Sequence, residues 1–178
     1  VRLRRAAGLR DAGALAGSKG RAVARRCPQG GHLILFLDFD GVLHPNADSS
    51  EHFSCAPLLW ELLRRHPEVS AVFSTGWRFK HPVAELRSLV CANGGEDLAE
   101  RFIDATPLLR HEAETGSRER DCLAWLRAHS HVGPWMALDD MPGLFSHGAS
   151  NLYHVNPKRG LMPYDVERIS AFIVRAGT

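Results

Sequence analysis

The chain has 178 residues, of which 44% are hydrophobic and 24% charged, and its formal net charge is +2. This length favours one domain, and the composition is that of a globular protein with a substantial core. No apolar run approaches the roughly 18 residues of a transmembrane helix, so we expect no membrane contact.

The positive charge is concentrated at the N-terminal end of the chain. Residues 1–30 hold eight Lys and Arg and one acidic residue, a net charge of +7, whereas the remainder carries −5. We predict a basic, disordered N-terminal arm over residues 1–31 and a folded domain over residues 32–178. The arm could bind nucleic acid through its charge, although a solvated leader without a specific role is the favoured interpretation.

The four cysteines lie far apart, at positions 27, 55, 91 and 122. This spacing is not that of a zinc motif, and the pair His129 and His131 has no evident third ligand. We therefore expect free thiols in a reducing compartment, which favours a cytoplasmic protein.

The first predicted element is a strand over residues 33–37, where five apolar residues follow one another. The run ends in Asp38 and Asp40, and Gly41 then allows a sharp turn. Such a strand is typical of a parallel sheet, whose carboxyl edge forms the ligand crevice in open α/β proteins. Two acidic side chains on one face of a strand repel each other unless a cation or a proton compensates them.

Helices and strands alternate along the rest of the chain. Helices are predicted over 57–65, 82–91, 117–129 and 164–175, and strands over 69–73, 101–105, 135–138 and 152–155. Pro57 is well placed to start the first helix, and Ser117 is a candidate N-cap of the third. The order predicts an α/β fold with a central parallel sheet of about five strands and helices on both faces.

Polar residues follow three of these strands at the point where each ends. Ser74 and Thr75 follow the second strand, and Asp139 and Asp140 follow a later one. Because parallel strands end at a common edge, we expect these groups to meet the acidic pair of the first strand. Oxygen ligands of this kind suit Mg²⁺. The predicted metal ligands are Asp38, Asp40, Asp139 and Asp140.

The strand followed by Asp38, Asp40 and Gly41 resembles the first signature of the haloacid dehalogenase (HAD) superfamily of phosphohydrolases. The resemblance implies a three-layer Rossmann-like fold in which Asp38 attacks phosphorus and Asp40 acts as general acid and base. Thr75, or Ser74 if the register shifts by one, resembles the second signature and would donate a hydrogen bond to the phosphoryl group.

The remaining signatures of the superfamily also have counterparts. Ala137-Leu138-Asp139-Asp140 resembles the fourth, in which Asp139 would be a Mg²⁺ ligand. The third is a lone basic residue, for which Arg118 is our candidate and Arg120 the alternative. Either would offset the charge between nucleophile and phosphate, although a solvated helix arginine would look the same.

A narrower resemblance is to the capless HAD domain of Swiss Army Knife RNA repair proteins. The matching pieces are LDFDGVLHP at 37–45, STGWR at 74–78, Thr106-Pro107, Trp125-Leu126, ALDD at 137–140 and Gly160-Leu161. About 34 residues separate the first two signatures and about 42 the next two, which leaves no room for a substantial lid. An open crevice would admit large substrates, including nucleic-acid ends.

Several residues are predicted to line the crevice beside the catalytic groups. The candidates for substrate binding are His44, Ser74, Gly76 and Arg78, with Arg78 gripping a second phosphate. Trp77 could stack on a base, but a tryptophan after a strand more often packs in the core.

The function predicted from the sequence is a Mg²⁺-dependent phosphomonoesterase that acts through an aspartyl phosphate. Its partner would be a phosphorylated small molecule or a nucleic-acid end. The alternative is a non-catalytic or phospho-accepting module that resembles a receiver domain. A dehalogenase relative is less favoured, because Asp40 supplies the acid that ester hydrolysis needs.

Overall fold

The computed structural model describes residues 32–46, 52–107, 109 and 114–177. The elements are β1 (Leu33–Leu37), α1 (Ala56–Arg65), β2 (Val69–Phe73), α2 (Val83–Cys91), β3 (Phe102–Ala105), α3 (Ser117–Ala128), β4 (Trp135–Asp139), β5 (Leu152–His154) and α4 (Pro163–Ala176). Each predicted helix and strand is found with its ends within one residue. The predicted basic arm, residues 1–31, lies outside the described residues.

The five strands form one parallel sheet in the order β3-β2-β1-β4-β5. In the register of the sheet, Leu37 of β1 is paired with Phe73 of β2 and with Leu138 of β4. The residues that follow these three therefore emerge at the same level of the carboxyl edge. The predicted α/β class, with a parallel sheet of about five strands, is confirmed.

Helices cover both faces of the sheet, as predicted. Leu33, Leu35 and Leu37 face one hydrophobic cluster, to which α1, α2 and α4 contribute their apolar sides. Ile34 and Phe36 face a second cluster that is built around α3. All five side chains of β1 are buried, and burying one such side chain contributes about 1.5–3 kcal/mol.

Helices α1 and α3 have different residues at their N-terminal ends. Helix α1 has Pro57 in its first turn and Arg64 and Arg65 in its last, as the sequence predicts. The N-cap of α3 is Gly116, whose φ is +75°, and Ser117 is the first helical residue. The prediction of Ser117 as N-cap is therefore wrong, because the chain enters this helix through a left-handed residue that favours glycine.

Within the described ranges, the connections between strands carry no separate lid. The connection from β1 to β2 contains α1, and that from β2 to β3 contains α2 with the 3₁₀ helices Gly76–Phe79 and Glu96–Arg101. In the same part of the chain, no helix is both long and apolar enough to cross a membrane. Cys55, Cys91 and Cys122 are free thiols, and Cys27 lies outside the described residues.

Candidate active site

Three carboxylates meet at the carboxyl edge of the sheet. Asp38 directly follows β1, Asp139 is the last residue of β4, and Asp140 follows it. One carboxylate oxygen from each lies within 4.8 Å of the others, and all three side chains are buried. Three clustered oxygen donors match the coordination preferences of Mg²⁺, which completes its ligand shell with water.

Each carboxylate is held by a hydrogen-bond donor that leaves its other oxygen for further contacts. Oδ1 of Asp38 accepts the Phe39 N–H over 2.8 Å, and Oδ1 of Asp139 accepts the Met141 N–H over 2.9 Å. The side-chain amide of Asn46 donates to Oδ2 of Asp140 over 2.7 Å. Sequence reasoning did not single out Asn46, although it follows the first signature by a few residues.

Arg118 provides the positive charge of this group. Its Nη1 donates to Oδ2 of Asp38 and, over 2.7 Å, to Oδ2 of Asp139. It can reach both because it lies in the first turn of α3, next to the carboxyl edge. Arg120, the alternative, instead bonds the Thr115 carbonyl and Glu114 at the surface. Of the two, the structure brings Arg118 to the carboxylates.

Burial and the neighbouring charges shift the pKa values of these groups. Burial raises the pKa of Asp139 to about 7, and the charge of Asp38 adds to this, while Arg118 opposes it. Burial also raises the pKa of Asp38 against the opposing effect of Arg118. Burial alone would lower the pKa of Arg118, but the charges of Asp38 and Asp139 raise it above its usual range. With all three acids ionised, the cluster carries two uncompensated negative charges, which a divalent cation would neutralise.

The carboxylate of Asp40 lies outside this group of three, although the sequence predicted Asp40 as a fourth metal ligand. Its side chain is 52% exposed, and its oxygens accept hydrogen bonds from Trp77 Nε1 at 3.1 and 3.0 Å. His44, which was predicted to bind substrate, is buried and places Nε2 3.1 Å from Oδ1 of Asp40. Sequence reasoning did not predict the link between Trp77 and Asp40, since the two are 37 positions apart.

The two hydroxyls after β2 have different surroundings. Ser74 is buried, and its Oγ lies 3.8 Å from Sγ of Cys122 on α3. Thr75 is also buried, and its Oγ1 accepts the Trp77 N–H over 3.3 Å, which caps the 3₁₀ helix Gly76–Phe79. That bond uses a lone pair of Thr75 and leaves its hydroxyl hydrogen to donate elsewhere.

Arg78 bonds other protein groups and is not exposed at the rim of the crevice. Its side chain is only 5% exposed. Nη1 donates to the Thr75 carbonyl over 2.6 Å, and Nη2 donates to Oδ2 of Asp121 over 2.7 Å. Asp121 lies on α3, three residues after Arg118. Arg78 therefore ties the turn after β2 to the helix that carries Arg118, which its predicted role as a phosphate ligand did not anticipate.

A cavity of about 370 Å³ opens beside Asp40. Its lining consists of Asp40, Gly76, Trp77, Lys80 and His81. A Cβ atom on Gly76 would meet no atom within 4 Å, so this glycine borders open space. Lys80 and His81 were not predicted from the sequence as site residues, because a single Lys-His pair in a polar segment carries no recognisable pattern.

A parallel sheet with acidic residues after its central strands, and an arginine between them, is the architecture of the HAD superfamily. A family model described as "HAD domain in Swiss Army Knife RNA repair proteins" matches residues 34–166. The chain belongs to this family, as the sequence predicted, and the membership points to a hydrolase of the phosphatase type. Proteins of the superfamily generally use Mg²⁺. No curated protein in the comparison matches the chain.

Proposed function

We propose that this protein is a Mg²⁺-dependent phosphomonoester hydrolase that forms an aspartyl phosphate on Asp38. The observation that carries the proposal is the group of three buried carboxylates, Asp38, Asp139 and Asp140, with Arg118 bonded to the first two. A buried cluster of like charges is unfavourable unless it serves to bind a cation or to react.

The donor set fits Mg²⁺, because all three side chains offer oxygen and are already held by neighbouring N–H groups. The ligands would be Asp38, Asp139 and Asp140. When bound, the ion would neutralise charge on the phosphoryl oxygens. Asp40 remains a proposed catalytic residue, and the position of its side chain favours proton transfer over metal binding.

The chain's own groups can carry both steps of hydrolysis. A carboxylate oxygen of Asp38 forms a bond to phosphorus while the bond from phosphorus to the leaving oxygen breaks, and Asp40 gives that oxygen a proton. Water then attacks phosphorus and passes a proton to Asp40, and the bond between Asp38 and phosphorus breaks. Inorganic phosphate leaves, and both aspartates return to their starting states.

Three further residues would support the transferred group. Thr75 would donate its hydroxyl hydrogen to a phosphoryl oxygen, with Ser74 and Gly76 on either side of it in the turn. Arg118 would hold Asp38 in line for attack and offset the charge that develops there.

The substrate class we propose is a nucleotide or a nucleic-acid end that carries a terminal phosphate. The described part of the chain has no lid over the site, so a bulky leaving group could enter the cavity beside Asp40. Lys80 contributes a positive charge to the cavity wall, which also contains the carboxylate of Asp40. The family's description as a domain of RNA repair proteins is in agreement with such a substrate.

The proposal is tested by hydrolysis of 4-nitrophenyl phosphate with and without Mg²⁺. We expect Mg²⁺-dependent release of phosphate that is lost in Asp38→Asn and retained in Asp97→Asn, a surface change beside Arg64. Full activity of Asp38→Asn would rule out Asp38 as the nucleophile. Phosphorylation of Asp38 that is stable and never turns over would instead favour the receiver-like alternative.

A further inference from the structure

The carboxyl group of Asp40 is half exposed, yet it is tied to two neighbouring side chains. Trp77 Nε1 lies 3.1 Å from Oδ1 and 3.0 Å from Oδ2, and His44 Nε2 lies 3.1 Å from Oδ1. An exposed aspartate normally rotates freely in water. Here the indole N–H and the imidazole fix both the direction and the plane of the carboxyl group.

The indole ring of Trp77 is itself held in place by packing against other aromatic rings. The Trp77 ring makes edge-on contacts with Phe39 and Phe53, with ring centroids 5.7 and 5.6 Å apart. Trp77 also belongs to the 3₁₀ helix that Thr75 caps, so the turn after β2 fixes its backbone.

The hydrogen-bond pattern also sets the tautomer of His44. Its Nδ1 faces the Phe53 N–H over 3.5 Å and therefore accepts, so in the neutral ring Nε2 carries the hydrogen that points to Asp40. His52 packs edge-on against His44, with ring centroids 4.9 Å apart, and closes this side of the imidazole.

We propose that Trp77 and His44 are positioning residues, which hold the Asp40 carboxyl group toward the leaving-group oxygen. The inference rests on the proposed function, because it assumes that Asp40 transfers a proton during phosphoryl transfer. The cavity that Asp40 and Trp77 line together is then the leaving-group site. This places His44 next to the acid and base, in contrast to the substrate contact predicted from the sequence.

A positioning role has a kinetic signature that a purely structural role lacks. A strongly basic leaving group, such as an alkoxide, needs a proton as the bond to phosphorus breaks, whereas 4-nitrophenolate leaves readily without one. Displacement of the Asp40 carboxyl group should therefore slow the hydrolysis of alkyl phosphates far more than that of aryl phosphates. The ratio kcat/KM reports this first step alone, because it covers the reaction up to release of the leaving group.

The test compares kcat/KM for 4-nitrophenyl phosphate and for glycerol 2-phosphate, in the presence of Mg²⁺. We expect Trp77→Phe and His44→Gln to lower the value for the alkyl ester by about 10- to 100-fold and that for the aryl ester by less than about threefold. The matched controls are Trp60→Phe, which removes the indole donor to the Val90 carbonyl, and His66→Gln, which replaces a buried imidazole that is hydrogen-bonded to Ser170. In these controls, the ratio of the two kcat/KM values should equal that of the wild type.

A second readout does not depend on turnover. In the ¹H–¹⁵N NMR spectrum, the indole signal of Trp77 should shift on Asp40→Ala, and that of Trp60, which donates to the Val90 carbonyl, should not. Equal losses for both substrates, or an unshifted Trp77 signal, would overturn the positioning role and leave the hydrolase intact. A wild-type protein without activity on either ester would overturn the proposed function, and the positioning role with it.

Discussion

Gly41 and Asp140 lie in contact at the carboxyl edge of the sheet. A Cβ atom on Gly41 would clash with Oδ2 of Asp140, the oxygen that accepts the hydrogen bond from Asn46. The φ angle of Gly41 is +69°, so its backbone is also left-handed. The glycine of the first signature therefore both turns the chain and leaves space for a carboxylate of the candidate metal site.

Replacing this glycine by alanine should damage the metal site directly. We expect Gly41→Ala to displace Asp140, to weaken Mg²⁺ binding by about tenfold or more, and to destabilise the fold by at least 1 kcal/mol, because the new Cβ has neither space nor a suitable φ. Isothermal titration with Mg²⁺ and urea unfolding would measure both effects. Gly143→Ala is the control, since a Cβ there meets no atom within 4 Å. Unchanged Mg²⁺ affinity in Gly41→Ala would exclude Asp140 as a ligand.

Arg118 should matter far more than its neighbour Arg120. We expect Arg118→Met to lower kcat/KM by at least about 100-fold, because Asp38 and Asp139 lose the donor that aligns them, and Arg118→Lys to retain part of the activity. Arg120→Met should stay within about twofold of wild type, since Arg120 pairs with Glu114 at the surface. Steady-state kinetics on an aryl phosphate would measure kcat/KM for these variants. Comparable losses for both arginines would contradict the assignment.

Protonation of the cluster should couple stability to pH and to Mg²⁺. The pKa of Asp139 is raised to about 7 in the folded protein and is near 3.8 when the chain is unfolded. Between these values the folded state holds one proton more than the unfolded state. Stability without metal should therefore fall as pH rises from about 4 to about 7, at up to about 1.4 kcal/mol per pH unit.

Mg²⁺ should reverse this trend, because it binds the ionised carboxylates. We expect the rise in Tm on adding Mg²⁺ to be small at pH 5 and large at pH 8. Thermal unfolding between pH 5 and pH 8, with and without Mg²⁺, would measure this rise in Tm. Asp139→Asn, which does not titrate, is the comparison. A metal-induced rise in Tm that is independent of pH would contradict a shared, buried acid cluster.

The buried ion pair between Arg78 and Asp121 should contribute strongly to the fold. We expect Arg78→Met to cost about 3–5 kcal/mol, because it leaves the buried carboxylate without the guanidinium that compensates it. The surface pair of Arg64 and Asp97 is the comparison, and Arg64→Met should cost no more than about 1 kcal/mol. Urea unfolding of both variants measures the difference. Similar costs would mean that Arg78 does not tie the turn to α3.

The sequence predicted the elements because each signal was local. The buried run of β1, the proline of α1 and the apolar sides of the helices all lie within one segment, and periodicity is sufficient to find them. Parallel strands end at a common carboxyl edge. The proximity of Asp38 to Asp139 and Asp140 could therefore be predicted from the topology alone.

The side-chain partners could not be foreseen in the same way. Trp77 bonds a residue 37 positions away, and Arg78 bonds one 43 positions away. Each pairing depends on rotamers and on how the turn after β2 packs, against the segment after β1 for Trp77 and against α3 for Arg78. No periodic pattern in the sequence encodes either arrangement. Arg78 was therefore expected on the rim and is found buried.

Strand β1 is paired on both sides, and all of its side chains are enclosed. Its amide hydrogens should exchange with solvent only when the whole domain opens. The nucleophile is therefore anchored to the slowest-opening part of the molecule.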